Sequence, residues 1–142
     1  MRWKTSAAIV VLILLIWGLT GSHFYMGLDK ESYHPGEEPV LTLRNTGILP
    51  IYFGQPYTLY RRENGTWVRV RQGFFFNSLL YDLLPFGSWK QEIALKYLPE
   101  NESAGTVPTL YNLPPGEYRL VKEICGWPRG CVNGSVEFEI LP

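Results

Sequence analysis

The segment 113-LPPGEYRLVKEI-124 decides the fold, because it joins a sharp turn to a strand of alternating polarity. Alternate positions carry apolar side chains, which is the pattern of a β-strand with one buried face: Tyr118, Leu120 and Ile124. The turn has the L-x-x-G-x-Y arrangement with which Greek-key sandwiches build a tyrosine corner. We therefore expect the Tyr118 hydroxyl to bond to the backbone upstream of it. The alternative is that Tyr118 is an ordinary core aromatic residue.

The chain around this segment repeats the two-residue period, and Gly and Pro interrupt it at short intervals. The clearest hairpin is 57-YTLYRRENGTWVRV-70, because Asn64 and Gly65 readily take the positive φ angles of a tight turn. The alternation predicts a set of core residues: Leu41, Leu43, Ile51, Phe53, Trp89, Ile93, Val136, Phe138 and Ile140. About seven such strands predict an all-β fold, a two-sheet antiparallel β-sandwich.

The N-terminus has the composition of an export signal. Arg2 and Lys4 precede an unbroken apolar run from Ala7 to Trp17, and no acidic residue occurs before Asp29. A buried core helix would show a polar face, and this run shows none. We therefore expect one N-terminal hydrophobic helix that directs export.

Both a cleaved signal peptide and a retained signal-anchor are consistent with this segment. A helix over 7–19 spans only about 20 Å, whereas a bilayer core needs about 30 Å. Counting on to Leu28 supplies the missing length, while 20-TGS-22 is small enough for a signal-peptidase site. We assign residues 1–28 to this segment and residues 29–142 to the sandwich. The sandwich is then outside the cell membrane, attached by a single pass or secreted.

Four segments occur in an order that resembles a family of bacterial and archaeal immunoglobulin-like domains of unassigned role. They are 32-SYHPGEEPVLTLRNTG-47, 56-PYTLYRRENGTWVRV-70, 83-LLPFGSWKQEIAL-95 and 113-LPPGEYRLVKEI-124. The resemblance covers residues 30 to 140, and its motifs are structural, so it implies an immunoglobulin-like sandwich and little about function. The chain departs from the family pattern in its cysteine pair and in the apolar stretch 73-GFFFNSLLYDLL-84.

The two cysteines, Cys125 and Cys131, flank the turn-forming residues 126-GWPRG-130. Strand parity places both thiols on the outward face of neighbouring antiparallel strands, at a separation that a disulfide can bridge. An oxidising exterior favours that bridge. Zinc needs four ligands, and only His23, in or beside the N-terminal segment, and His34, in the first turn, could join the two cysteines. A redox pair prefers two intervening residues, and a cysteine nucleophile needs a nearby histidine.

The sequence contains no recognisable catalytic, phosphate-binding or dinucleotide-binding motif. Asp82 lies among apolar residues, where it is either an acid of unusual pKa or a capping or turn aspartate. Thirteen basic and thirteen acidic side chains give a net charge of zero, without a basic stripe for nucleic acid. We therefore expect a non-enzyme that has no cofactor, no metal and no nucleic-acid partner.

Two features are candidate binding surfaces. The first contains Phe74, Phe75 and Phe76, because a strand buries only alternate residues and at least one ring must then be exposed. The alternative is a loop that closes the edge of the sandwich. The second contains Trp127 and Arg129, residue types that are enriched in binding hot spots. The alternative is a tip without a binding role.

Three triplets in predicted turns fit the N-glycosylation pattern, at Asn64, Asn101 and Asn133. The expected function is a non-catalytic, membrane-tethered extracytoplasmic module for binding or cell-envelope architecture. Its expected partners are the membrane, through the N-terminal segment, and another cell-surface protein. The alternative is a peptidase inhibitor, because a disulfide-held loop suits inhibition. In addition, 45-NTGILPIYFGQPY-57 resembles the strand-turn-strand of a bacterial proteinase-inhibitor family.

Overall fold

The computed structural model describes residues 2–19, 23–73, 75–101, 107, 109–128 and 130–142. Within them one helix precedes twelve strands. The helix is α1 (Arg2–Leu19), and the strands are β1 (Phe24–Leu28), β2 (Ser32–Tyr33), β3 (Val40–Asn45), β4 (Ile51–Gly54), β5 (Thr58–Glu63), β6 (Thr66–Arg69), β7 (Leu80–Leu83), β8 (Ser88–Glu92), β9 (Lys96–Tyr97), β10 (Tyr111–Asn112), β11 (Gly116–Gly126) and β12 (Gly130–Ile140). The number exceeds the expected seven, because β2, β9 and β10 are two-residue pairings and β1 and β7 were not expected.

The strands form an all-β sandwich, as predicted, although β2 pairs with β12 in parallel rather than antiparallel. The smaller sheet has the order β1-β3-β8. The larger sheet has the order β2-β12-β11-β4-β7, and the β5–β6 hairpin also joins it through β11. In that hairpin Asn64 and Gly65 have φ angles of 49° and 78°, so the predicted tight turn is confirmed. A separate two-stranded ladder joins β9 to β10.

Strand β1 belongs to the sandwich, although its residues had been assigned to the N-terminal segment. It pairs with β3 from Phe24 opposite Asn45 to Leu28 opposite Leu41. The Phe24 ring packs so closely on β12 that a Cβ at Gly134 would lie 2.8 Å from it. The alternation of apolar residues in β1 therefore serves the core rather than a longer helix.

Helix α1 precedes the sandwich, and its described side chains from Lys4 to Trp17 are all exposed. In the ranges that the structure describes, no helix has both the length and the apolarity needed to cross a membrane. The Trp17 ring stacks on the His23 ring at a centroid distance of 4.1 Å. The expected signal-peptidase residues 20–22 lie outside the described residues.

The core lies between the two sheets in two clusters. One contains Leu43, Ile51, Phe53, Leu83 and Ile124, and the other contains Tyr33, Leu41, Tyr57, Leu59, Ile93, Leu95, Leu113, Tyr118, Leu120, Phe138 and Ile140. Of the predicted core residues, only Trp89 and Val136 are less than fully buried. The Tyr118 hydroxyl donates to the Pro114 carbonyl oxygen at 2.7 Å, so the predicted tyrosine corner is present.

Candidate functional site

The predicted disulfide joins Cys125 to Cys131. The two residues lie directly opposite each other in the β11–β12 ladder, with their Cα atoms 3.9 Å apart. Only residues 127–129 connect the strands beyond them. The disulfide therefore closes the base of a very short hairpin and limits the movement of its tip.

Trp127 stands at this tip with 65% of its surface exposed. Pro128 beside it is also exposed. Arg129 lies outside the described residues, so its role in binding stays a prediction. The tip thus presents an apolar ring to the surroundings on a rigid support.

Two further loops lie at the same end of the sandwich as this tip. Gly126 pairs with Ile51, and Ile51 pairs with Leu83, so loops 46–50 and 84–87 are close to the hairpin. We call loops 46–50, 84–87 and 126–130 together the apolar end. It also contains the first residue of β1, since Phe24 pairs with Asn45.

Asn45 holds two of these loops together from a fully buried position. Its side-chain amide donates to the carbonyl oxygens of Leu49 at 2.8 Å and Leu83 at 2.9 Å. Its backbone carbonyl accepts from the Phe86 N–H at 2.9 Å. A local sequence pattern does not show that the Asn45 amide reaches Leu83, which lies 38 residues further along the chain.

The apolar end exposes four large apolar side chains: Ile48 at 44%, Leu84 at 67%, Phe86 at 77% and Trp127 at 65%. Phe86 also has a φ of 65°, in the left-handed region that bulky residues rarely adopt. In the sequence of the three loops there is no carboxylate, and Arg129 is the one charged residue. This surface therefore exposes large apolar side chains that are not buried in the core of the sandwich.

The opposite end of the sandwich is acidic. Its turns carry five acidic residues and one lysine, Lys30, whose ammonium group pairs with Glu37 at 3.0 Å; the acidic residues are Asp29, Glu31, Glu37, Glu38 and Glu63. The Val40 N–H at 2.8 Å lowers the pKa of Asp29, and the His34 N–H at 2.6 Å lowers the pKa of Glu37. Both carboxylates are therefore ionised at neutral pH.

Lys122 is a cation buried in the core, with 1% of its surface exposed. Its ammonium group donates to the carbonyl oxygens of Gly54 at 2.6 Å and of Gln55 and Pro56 at 3.1 Å. Burial lowers the pKa of Lys122 to about 8. Strand parity places Lys122 on the inward face with Tyr118, yet sequence reasoning gave it no role.

The phenylalanine-rich segment lies beside the sandwich rather than at the apolar end. Residues 75–79 form no strand, and Phe75 is 100% exposed. The Phe76 ring packs edge-on against Tyr57 at 4.9 Å. Phe74 lies outside the described residues. The predicted exposure of at least one ring is thus found at Phe75. The reason given for it was wrong, because residues 75–79 do not form a strand.

The remaining candidate residues do not assemble into a reactive site in the part of the chain described. Glu123, Cys125 and Cys131 come close enough to share a metal ion, but the two sulfur atoms are bonded to each other. Asp82 lies on β7 with an exposed side chain, opposite Tyr52. An ordinary edge-strand aspartate describes it better than a capping or turn residue.

The possible glycosylation sites occupy different environments. Asn64 and Asn101 lie in turns, as expected. Asn133 instead lies within β12, opposite Glu123, because β12 continues through the Asn133-Gly134 pair that had been expected to turn the chain. Modification of any of the three stays a prediction.

Comparison with known proteins identifies the family. A family model for the bacterial Ig-like domain matches residues 20–139. The chain belongs to this family. Its members are generally non-catalytic binding or structural modules, and that coarse description applies to this bacterial Ig-like domain.

No curated protein sequence matches the chain. Two of the similar solved structures are much larger proteins. A β-glucosidase from Listeria innocua in complex with glucose is 12% identical at a TM-score of 0.36, over 84% of this chain and 17% of that one. An alkylpurine DNA glycosylase from Pseudomonas fluorescens, bound to DNA containing an abasic site analog, is 16% identical at a TM-score of 0.33, over 92% of this chain and 36% of that one. This chain spans a minor part of both proteins.

Proposed function

We propose that this bacterial Ig-like domain is an exported binding or structural module that works at the outer face of the cell membrane. The observation that carries the proposal is the disulfide between Cys125 and Cys131, because such bonds persist outside the reducing cytosol. The N-terminus supports it independently. Arg2 and Lys4 precede the apolar residues of α1, and basic residues flanking an apolar segment stay on the cytoplasmic side.

Binding rather than catalysis is the activity that the side chains support. The buried ammonium of Lys122 donates to three backbone carbonyl groups, so its hydrogen bonds are used within the core. The apolar end, in contrast, offers exposed rings on a braced support, which suits a contact surface. We therefore assign the binding role to that end.

Peptidase inhibition is the weaker candidate. An inhibitory loop must lie extended along a peptidase cleft, and the disulfide-held hairpin has only the residues 127–129 beyond its strands. No described feature of loop 46–50 favours inhibition over its role at the apolar end. We retain the binding module as the proposed function.

Selective labelling of lysines in intact cells tests the export proposal. A membrane-impermeant amine reagent should label exposed Lys90 without permeabilisation, since Lys90 lies on the sandwich. Lys4 provides an internal control, because it precedes the apolar run and should react only after permeabilisation. Loss of the N-terminal peptide from the mature protein would indicate a cleaved signal. Labelling of Lys90 only in permeabilised cells would contradict the proposal.

A further inference from the structure

The exposed side chains of the apolar end contribute little to the fold. Phe86 combines a large exposed ring with a left-handed backbone that Gly or Asn would adopt more readily. Trp127 projects from a hairpin whose strands are already joined by a disulfide. These rings lie on separate loops at one end of the molecule, so an external surface could cover them together.

The position of the N-terminal helix indicates what that surface is. Strand β1 begins at Phe24 in the apolar end, and only residues 20–23 separate it from α1. The apolar side chains of α1 are exposed over residues 7–17. The apolar helix α1 is therefore connected, through four residues, to the apolar end of the sandwich.

The two ends of the sandwich differ in charge, and this difference favours a membrane as the external surface. The loops of the apolar end carry no carboxylate, whereas the turns at the far end carry five carboxylates and a single lysine, Lys30. Anionic lipids repel carboxylates and attract basic groups within about 10 Å of the membrane surface. The domain can thus approach a bilayer with its apolar end first while its acidic end points away.

We infer that the apolar end rests on the lipid bilayer, with Trp127, Phe86 and Leu84 inserted among the headgroups. Aromatic side chains prefer this interfacial layer, because their apolar rings leave water there without entering the hydrocarbon core. The inference rests on the proposed function only in placing the domain beside a membrane. It adds that the binding partner of the apolar end is lipid rather than protein. The domain then stands upright on the membrane, with its acidic end and C-terminus farthest from the lipid.

Vesicle binding by residues 23–142 tests this inference without requiring export. These residues contain both core clusters, and no helix residue belongs to either cluster, so the sandwich keeps its core without α1. The probe is a vesicle of phosphatidylcholine and phosphatidylglycerol in equal parts, and flotation measures the bound fraction. The wild-type domain should bind. Phe86→Asn should lower the partition constant about tenfold, because one large apolar side chain no longer leaves water.

The matched control is Phe75→Asn, since Phe75 is a phenylalanine outside the apolar end that is even more exposed than Phe86. It should leave the partition constant within about twofold of wild type, less than half a kcal/mol. Asn tolerates the left-handed backbone at residue 86, so Phe86→Asn should unfold at the wild-type temperature. Absence of vesicle binding by the wild-type domain would overturn the inference. Equal losses of the partition constant in the two variants would also overturn it. The same holds if the wild-type domain self-associates, Phe86→Asn abolishes that self-association, and neither protein binds vesicles.

Discussion

The ammonium nitrogen of Lys122 lies 2.6 Å from the carbonyl oxygen of Gly54, in the interior of the sandwich. It is also within 5.6 Å of the centre of the Phe53 ring and 5.1 Å of the centre of the Trp89 ring. The Gln91 side-chain oxygen is a further acceptor at 3.3 Å, so the ammonium group connects strands of both sheets. One cation thereby holds the chain where it passes from β4 to β5.

Replacement of this lysine should destabilise the domain. Lys122→Met keeps the length of the side chain but leaves the carbonyl groups of Gly54, Gln55 and Pro56 without their donor. Buried acceptors that lose a partner cost about 1–3 kcal/mol, and we expect about 2 kcal/mol in urea unfolding at pH 7. Lys90→Met is the matched control, since Lys90 is exposed, and it should change stability by less than about 0.5 kcal/mol. Equal effects of the two changes would contradict the bridging role of Lys122.

The stability of the wild-type domain should rise between pH 8 and pH 10. Burial lowers the pKa of Lys122 to about 8 from its usual 10.5, so in this range the unfolded chain binds a proton that the folded domain releases. Stability therefore increases with pH, by about 2 kcal/mol. Above pH 10 it should fall, because burial raises the pKa values of Tyr57 and Tyr118 to about 12 and only their unfolded forms ionise.

Urea unfolding at intervals from pH 7 to pH 11 measures this profile. The wild-type curve should have a maximum near pH 10, where the lysine and tyrosine effects meet. In Lys122→Met the rise should disappear while the fall above pH 10 persists. A rise of the same size in the variant would assign it to another group.

Adjacent phenylalanines should respond very differently to truncation. Phe76 packs on Tyr57 and on the larger core cluster, whereas Phe75 is wholly exposed. Phe76→Ala should lower the free energy of unfolding by about 2 kcal/mol, below the 3–5 kcal/mol of a fully buried ring, because it is only partly covered. Phe75→Ala should stay within about 0.5 kcal/mol of wild type. Thermal unfolding of both variants checks this, and similar losses in the two would place Phe75 in the core.

Local patterns predicted the sandwich well, because alternation, tight turns and the tyrosine corner are all short-range signals. The Tyr118 corner and the Asn64-Gly65 turn each depend on a few neighbouring residues. The apolar end was only partly predictable. Trp127 lies between the two cysteines in the sequence, but Phe86 comes close to it only through the pairing of β4 with β7 and β11.

Lys122 and β1 show the other limit of sequence reasoning. Parity places Lys122 inward, but its backbone acceptors lie 66 to 68 residues earlier in the chain, so no local pattern indicates that the charge is satisfied. In β1, an apolar run that follows a hydrophobic helix has the same composition whether it continues that helix or begins the sandwich. The pairing of β1 with β3 shows that these residues form a strand of the sandwich. That pairing depends on a distant part of the chain and cannot be recognised from the segment alone.

Removal of the disulfide should weaken the hairpin without unfolding the domain. Cys125→Ser combined with Cys131→Ser releases a short loop, for which loop-closure entropy predicts a loss of about 2 kcal/mol. The register of β11 with β12 continues from Gly116 opposite Ile140 through to the cysteines, so the sandwich should remain folded. Hydrogen exchange should accelerate at the tip around Trp127 and stay slow at Leu120. In protein from its native compartment, alkylation without reductant should label neither cysteine. Full labelling of both, or equal exchange at the tip in the two forms, would show that the bond does not hold the hairpin.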